Sequence, residues 1–308
     1  MWSGRCGVLA DARLVAVAPV AGIPIVHELR DAIALESRDA VDWTGTSVRG
    51  APLTIRHELG DVRTVDMRAV LEVPPWCTFH MDARGEPASL FHGIFGEVDR
   101  LLTCEEPGLR YVVRYGVRPS AAVMALQSEL AAFSFALSAR DLGLIAHSCA
   151  FVTTGGEGVL CPGVSGTGKT TLTQMLLRYV PDVEVLTDDR AIITLDDDGL
   201  TLWGSPWPGA AQVAGVGSAT LTTVVFIRHG ASCTMRRVPP ADAFRRVVNT
   251  LSMPVWEPAR CGRALEIVDA IVSNTELLEL TYPPTPEAAV WLADQVAFAQ
   301  PLGARHGQ

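Results

Sequence analysis

The chain has 308 residues, 48% of them hydrophobic and 19% charged, with a formal charge of −9. That balance fills one large core or two modest ones and excludes a disordered chain. The acidic total excludes a chain-wide basic face for nucleic acid, and no uncharged apolar run reaches the ~18 residues of a membrane span.

The apolar stretch Leu14–Val26 follows Asp11 and Arg13 and is interrupted by Pro19 and Pro24. It therefore reads as strand and turn, not as a secretory leader. Leu53–Glu58, Cys77–Asp82 and Arg110–Tyr115 continue a strand-rich region that extends to residue 118. Residues 1–118 carry no motif, and their expected role is acceptor binding or a homo-oligomer contact. Pro119 and Ser120 open a helical stretch, Ala121–Leu142, that Gly143 stops. This stretch begins the second expected domain, 119–308.

Two buried strands follow, Leu144–Thr153 and Gly158–Cys161. A glycine-rich loop comes next, then a helix with Leu172, Met175, Leu176 and Tyr179 on one face. Strand Val183–Thr187 ends at Asp188 and Asp189. A hairpin follows, Ala191–Leu195 with Leu200–Trp203, turning at the solvated run Asp196–Gly199. Thr220–Arg228 and Ser232–Val238 read as a second hairpin. The remainder is helical, with Phe244, Val247, Val248 and Leu251 on one helix, Arg263–Asn274 forming another, and Pro286 opening the last behind a Thr285 cap. Strand Leu277–Leu280 lies between. A conventional nucleotide-binding sheet alternates strand and helix. This order does not, so the expected fold is α/β with a mixed, hairpin-rich sheet and flanking helices.

The seven cysteines are Cys6, Cys77, Cys104, Cys149, Cys161, Cys233 and Cys261, an odd number with no C-x-x-C pair. That pattern suits reduced thiols in a cytoplasmic protein.

The segment Gly163-Val164-Ser165-Gly166-Thr167-Gly168-Lys169-Thr170 matches G-x-x-x-x-G-K-[ST] in full, the P-loop pattern. Its glycines let backbone N–H groups close on phosphate oxygens, and the following helix adds the positive end of its dipole. Lys169 is the one lysine among 25 Lys and Arg residues. Arginine replaces lysine everywhere except where a compact ammonium must sit inside a tight backbone nest. Gly163, Ser165, Gly166, Thr167, Gly168, Lys169, Thr170 and Thr171 are the expected triphosphate contacts. Thr170 is the expected magnesium ligand, and ATP with Mg2+ the expected cofactor. Asp188 and Asp189 end the next strand and can reach the same loop. One suits a metal ion and the other the proton of an attacking hydroxyl. Arg190 is the preferred further cation for the γ-phosphate, ahead of Arg228, Arg236, Arg237, Arg245 and Arg246. Trp203 and Trp207 either stack on a ligand or pack.

Residues 144–300 resemble the HPr kinase and phosphoenolpyruvate carboxykinase superfamily. The resemblance rests on His147 before the loop, the loop itself, Leu186-Thr187-Asp188-Asp189-Arg190, Gly204–Gly209, and the tail ending in Leu277–Tyr282. It is nearest to the HPr kinase-related proteins found beside genes for ribosomal peptides, such as lasso peptide kinases. It implies that Lys169 binds the transferring phosphate and Thr170 the metal. It implies Asp188 as the base and Asp189 as metal support, with a swap of the two left open, and His147 flanking acceptor or phosphate. Bacterial HPr kinases carry glutamate where Thr171 stands, so HPr is not the expected acceptor. The expected activity is phosphoryl transfer from ATP to a serine or threonine hydroxyl on a peptide or protein. The alternatives are transfer to a small molecule such as free serine, a nucleotide-sensing module without transfer, and a conventional ATPase with a parallel sheet.

Overall fold

The computed structural model describes residues 8–9, 12–31, 50–73, 77–92, 99–118, 126–153, 155–180, 183–215 and 217–297. It is a mixed α/β structure with two multistranded sheets and, among the described residues, five helices. The chain divides into two compact units, Met1–Asp141 with Pro254–Cys261, and Leu142–Met253 with Gly262–Gln308. Among the described residues no helix is long and apolar enough to cross a membrane.

The first unit holds β1 (Val8–Leu9), β2 (Ala12–Val20), β3 (Ile23–Leu29), β4 (Leu53–Leu59), β5 (Arg68–Val73), β6 (Cys77–Met81), β7 (Pro87–Phe91), β8 (Arg100–Glu106) and β9 (Arg110–Tyr115). They form one sheet in the order β1-β2-β3-β4-β9-β8-β7-β6-β5, parallel at β3–β4 and β4–β9. The stretch Leu14–Val26 spans two of these strands, joined by a tight turn at Ala21 and Gly22, both with positive φ. The β2–β3 register slips between Val17 and Val20, around Pro19, which has no N–H for the ladder. Helix α1 (Leu126–Ala139) packs Phe133, Phe135 and Ala136 inward. The beginning of the expected helix, 121–125, lies outside the described residues. Pro254–Cys261 belongs to this unit because Trp256 stacks on Phe79 at 5.9 Å and meets Phe135 edge-on at 4.9 Å.

A buried polar chain runs through this unit. His57 Nδ1 lies 2.9 Å from the Tyr115 hydroxyl, and His57 Nε2 lies 2.9 Å from His27 Nδ1. His27 Nε2 is 3.0 Å from Glu129. Tyr115, His57, His27 and Glu129 thus form one hydrogen-bonded chain in which every ring nitrogen has a partner, the donor at each ring contact being set by its tautomer. Burial, with His27 and Arg100 nearby, holds His57 well below the usual histidine pKa. Below about pH 6.5 the unfolded chain therefore binds more protons than the folded one. Stability is full above that pH and is lost as pH falls beneath it. The urea midpoint is expected to drop between about pH 7.5 and 5.5, with a slope of at most about 1.4 kcal/mol per pH unit from this group. A midpoint that stays constant would show that His57 titrates normally in the fold.

The second unit holds β10 (Gly143–Val152), β11 (Glu157–Pro162), α2 (Lys169–Tyr179), β12 (Glu184–Thr187), β13 (Arg190–Asp196), β14 (Gly199–Trp203), β15 (Ser218–His229), β16 (Thr234–Arg237), α3 (Pro240–Val248), α4 (Pro258–Asn274, its first turn grouped with the first unit), β17 (Glu276–Tyr282) and α5 (Pro286–Ala297). Its sheet runs β11-β10-β13-β14-β15-β17-β16, with β12 also on β10 and β11 also on β15. Strands β11, β10, β13, β14 and β15 thus pair in a closed circuit. One face buries Leu144, Val224, Phe226, Val247 and Ile267 against α3 and α4. The other buries Phe151, Val225, Leu172, Leu176 and Leu292 against α2 and α5.

The β13–β14 hairpin forms as expected, with Asp198 N–H donating to Asp196 in the turn. The second expected hairpin does not form. Strand β17 lies between β15 and β16, parallel to the first and antiparallel to the second. The reason is burial. Leu277, Leu278 and Leu280 need cover on both faces, while the polar β16 suits an edge. Helix α3 stops at Val248, so Leu251 lies beyond it and bridges to Ala146 instead.

Candidate functional site

Strand β11 brings the chain to Gly163, and the loop Gly163–Thr170 turns it into α2. Strands β11, β15 and β17 are parallel, so β15 and β17 finish at this same end. Gly166 and Gly168 have φ of 86° and 103°, backbone that L side chains resist. Gly168 is the N-cap of α2, and no side chain caps the helix. The first-turn N–H groups of α2 and the positive end of its dipole therefore face the loop. The Gly163 N–H donates to the His147 carbonyl at 3.1 Å, and the Thr167 hydroxyl to the Val164 carbonyl at 2.9 Å. Ser165 and Gly166 are exposed, and Thr170 and Thr171 are half-buried at the start of α2.

Lys169 is 6% exposed. Its ammonium donates to the carbonyls of Gly163 at 2.6 Å and Val164 at 3.2 Å. Burial pulls its pKa below the ordinary lysine value, while Cys149 and Asp189 pull the other way. Cys149 faces Cys161 across β10 and β11, and both are buried. All six described cysteines are free thiols.

Strand β10 lies antiparallel to β11 with Ser148 opposite Pro162, which sets His147 beside the loop's first glycine. His147 also pairs with Arg190 at the start of β13. Between β12 and β13, Asp188 and Asp189 form the corner. Asp189 lies 3.0 Å from His147 Nε2 and 3.1 Å from Arg190 Nη1, and its side chain is 26% exposed. Burial pushes its carboxyl up, but His147, Arg190 and the charge of Lys169 outweigh that and hold it below the usual carboxylate range. Lys169, Asp189, His147 and Arg190 thus form one interacting group.

Asp188 points elsewhere. It is 2% exposed, and its two oxygens accept the backbone N–H groups of Gly209 at 2.7 Å and Ala211 at 2.6 Å. It therefore clamps the loop after β14 to the corner. A Cβ on Gly209 would stand 2.6 Å from the Asp189 Cβ, so the loop passes close to both aspartates. Trp203 and Trp207, on the same segment, are buried at 5% and 1%, which is packing. The Trp203 indole donates to Thr194.

Two further residues at the loop come from strand ends. The Tyr282 hydroxyl, at the end of β17, donates to the Gly168 carbonyl at 3.1 Å. A Cβ on Gly168 would lie 2.8 Å from that hydroxyl and 2.9 Å from the His229 ring at the end of β15. Their only sequence signal is position, since ligands of open α/β sheets gather at the carboxyl ends of parallel strands. Gly168→Ala combines this crowding with a left-handed φ. It is expected to destabilise the protein by about 1–3 kcal/mol, read as a fall in thermal midpoint. An unchanged midpoint would contradict the left-handed backbone and close contacts at Gly168.

No protein-family model matches this chain, and no curated protein matches it.

Proposed function

We propose that the protein is a kinase that holds ATP and magnesium on Gly163–Thr170 and transfers the γ-phosphate to a serine or threonine hydroxyl of a peptide or protein, such as a ribosomal natural-product precursor. The observation that carries this reading is the sole lysine, buried in a loop of positive-φ glycines and electrostatically joined to Asp189. The resemblance of residues 144–300 to the HPr kinase and phosphoenolpyruvate carboxykinase superfamily supports the same conclusion. The free thiols support a reducing, cytoplasmic setting.

The loop amides and Lys169 bind the phosphates and neutralise the charge that develops on them. Arg190 adds a second cation. The acceptor oxygen attacks the γ-phosphorus, the bond to ADP breaks, and the hydroxyl proton passes to a carboxylate. Asp189 is the better placed aspartate for that proton, because its side chain is 26% exposed beside Lys169's loop, whereas Asp188 is 2% exposed and clamped to two backbone amides. His147 and Arg190 orient Asp189. Among the described residues no three His, Cys, Asp or Glu cluster to hold a metal. Magnesium in such sites draws on substrate phosphates and water with one or two protein oxygens, and the Thr170 hydroxyl would be one of them. The ion would supply charge neutralisation between the phosphates.

Calorimetric titration with MgATP, followed by coupled ADP release with serine and threonine peptides or free serine, tests the proposal. Peptide-dependent ADP release is the expected result. Release with free serine alone would make it a small-molecule kinase, and tight MgATP binding with no release would make it a sensor.

A further inference from the structure

Four elements of the second unit converge on one buried carboxylate. Glu279 lies on β17, opposite Phe226 of β15 and Arg236 of β16, with its side chain 4% exposed. Arg236 donates to it through Nε at 2.9 Å and Nη2 at 2.6 Å. Arg246 of α3 donates at 2.7 Å and lies over the Phe226 ring at 4.0 Å from its centroid. Arg228 of β15 lies 3.7 Å away. Burial pushes the Glu279 carboxyl up, but Arg246 and Arg236 hold it below its usual range. Buried carboxylates need a partner, and one or two arginines would suffice. Three against one leave a net charge of +2 in a chain of −9.

The surplus faces water. Arg228 and Arg236 are 64% and 62% exposed, and of five N–H donors per guanidinium Arg236 spends two on Glu279, through Nε and Nη2. The packed carboxylate holds the guanidiniums together before any ligand arrives, which lowers the ordering cost of binding. The cluster lies on the α3 face of the sheet, the face opposite α2, and reaches toward the loop through the end of β15. Arg228 directly precedes His229, whose ring lies against Gly168.

We propose that Arg228, Arg236 and Arg246 form a docking site for an acidic segment of the peptide acceptor, separate from the nucleotide site. The place in the reaction rests on the kinase reading, while binding itself does not. Glutamate or aspartate side chains of the acceptor meet the outward N–H groups, and its hydroxyl reaches the loop from there.

The test uses the full chain and two fluorescein-labelled peptides, one alternating glutamate and serine, the other glutamine and serine. By anisotropy, wild type is expected to prefer the glutamate peptide, with a preference that shrinks as salt rises. Arg228→Ala/Arg236→Ala is expected to weaken glutamate-peptide binding roughly tenfold or more and leave MgATP affinity unchanged. Arg246 stays to cover Glu279. Arg228→Ala alone, which removes no hydrogen bond to Glu279, gives a smaller loss in the same direction and guards against misfolding. Equal binding of the two peptides, or undiminished binding by the double variant, overturns the proposal. So does a fall in MgATP affinity in the double variant, which would give these arginines to the nucleotide. Wild type that binds MgATP without preferring the acidic peptide removes this inference alone. Wild type that fails to bind MgATP removes the kinase reading while the peptide comparison still decides docking.

Discussion

Lys169→Ala is expected to weaken MgATP binding about a hundredfold, close to 2.7 kcal/mol, and to lower phosphoryl transfer about a thousandfold or more. A charge-assisted contact in a dry site contributes more than one in water, and this ammonium is 6% exposed with two loop carbonyls as partners. Lys169→Arg is the sharper variant. It keeps the charge, yet a planar, fork-shaped guanidinium does not reproduce the compact ammonium's contacts with both the Gly163 and Val164 carbonyls, so the expected loss is nearly as large. The chain uses arginine at its other 24 basic positions, so an active Lys169→Arg enzyme would leave the lone lysine without a physical reason. Calorimetry and single-turnover transfer measure both effects.

The aspartates are expected to separate cleanly. Asp189→Asn should leave MgATP affinity within a few fold and lower the transfer rate by about 10²–10⁴, because the group oriented by His147 and Arg190 loses its charge. The acidic limb of the wild-type rate profile should lie below the ordinary carboxylate range, since the same neighbours hold Asp189 ionised. Asp188→Asn should act on stability. One oxygen that accepts from Gly209 or Ala211 becomes an NH2 group that can only donate, leaving a backbone N–H without a partner. The expected cost is about 1–3 kcal/mol, seen as a lower thermal midpoint with the loop after β14 loosened. If Asp188→Asn abolishes transfer with no loss of stability while Asp189→Asn remains active, the two roles are reversed.

Local patterns in the sequence were informative where the physics is local. The glycine loop, the buried strands on either side of it, the Leu172–Leu176 face of α2 and the Asp196–Gly199 turn all depend on neighbours a few residues away. The non-alternating order of strands and helices also indicated a mixed sheet. What was not legible depends on distant pairing. Strand β17 displaces β16 from β15 across a helix pair, because burial on both faces, Leu277 on one and Leu278 with Leu280 on the other, outweighs the short connection. Nothing local to Asp188 shows that Gly209 and Ala211 return to it. His229 and Tyr282 meet at Gly168 only because three parallel strands end together. Residues 1–118 read as separate strands, and the single sheet that joins them arises from β4 pairing with β9 across more than fifty residues.

Transfer of label is the most direct measurement of the central claim. The full chain is incubated with γ-labelled ATP, magnesium and a library of serine- and threonine-containing peptides, and the label is followed into phosphoserine and phosphothreonine. The expected result is labelled peptide with wild type, and none above background with Lys169→Ala or Asp189→Asn. Label that stays in ATP despite intact MgATP binding, or that appears solely as inorganic phosphate, would contradict a kinase.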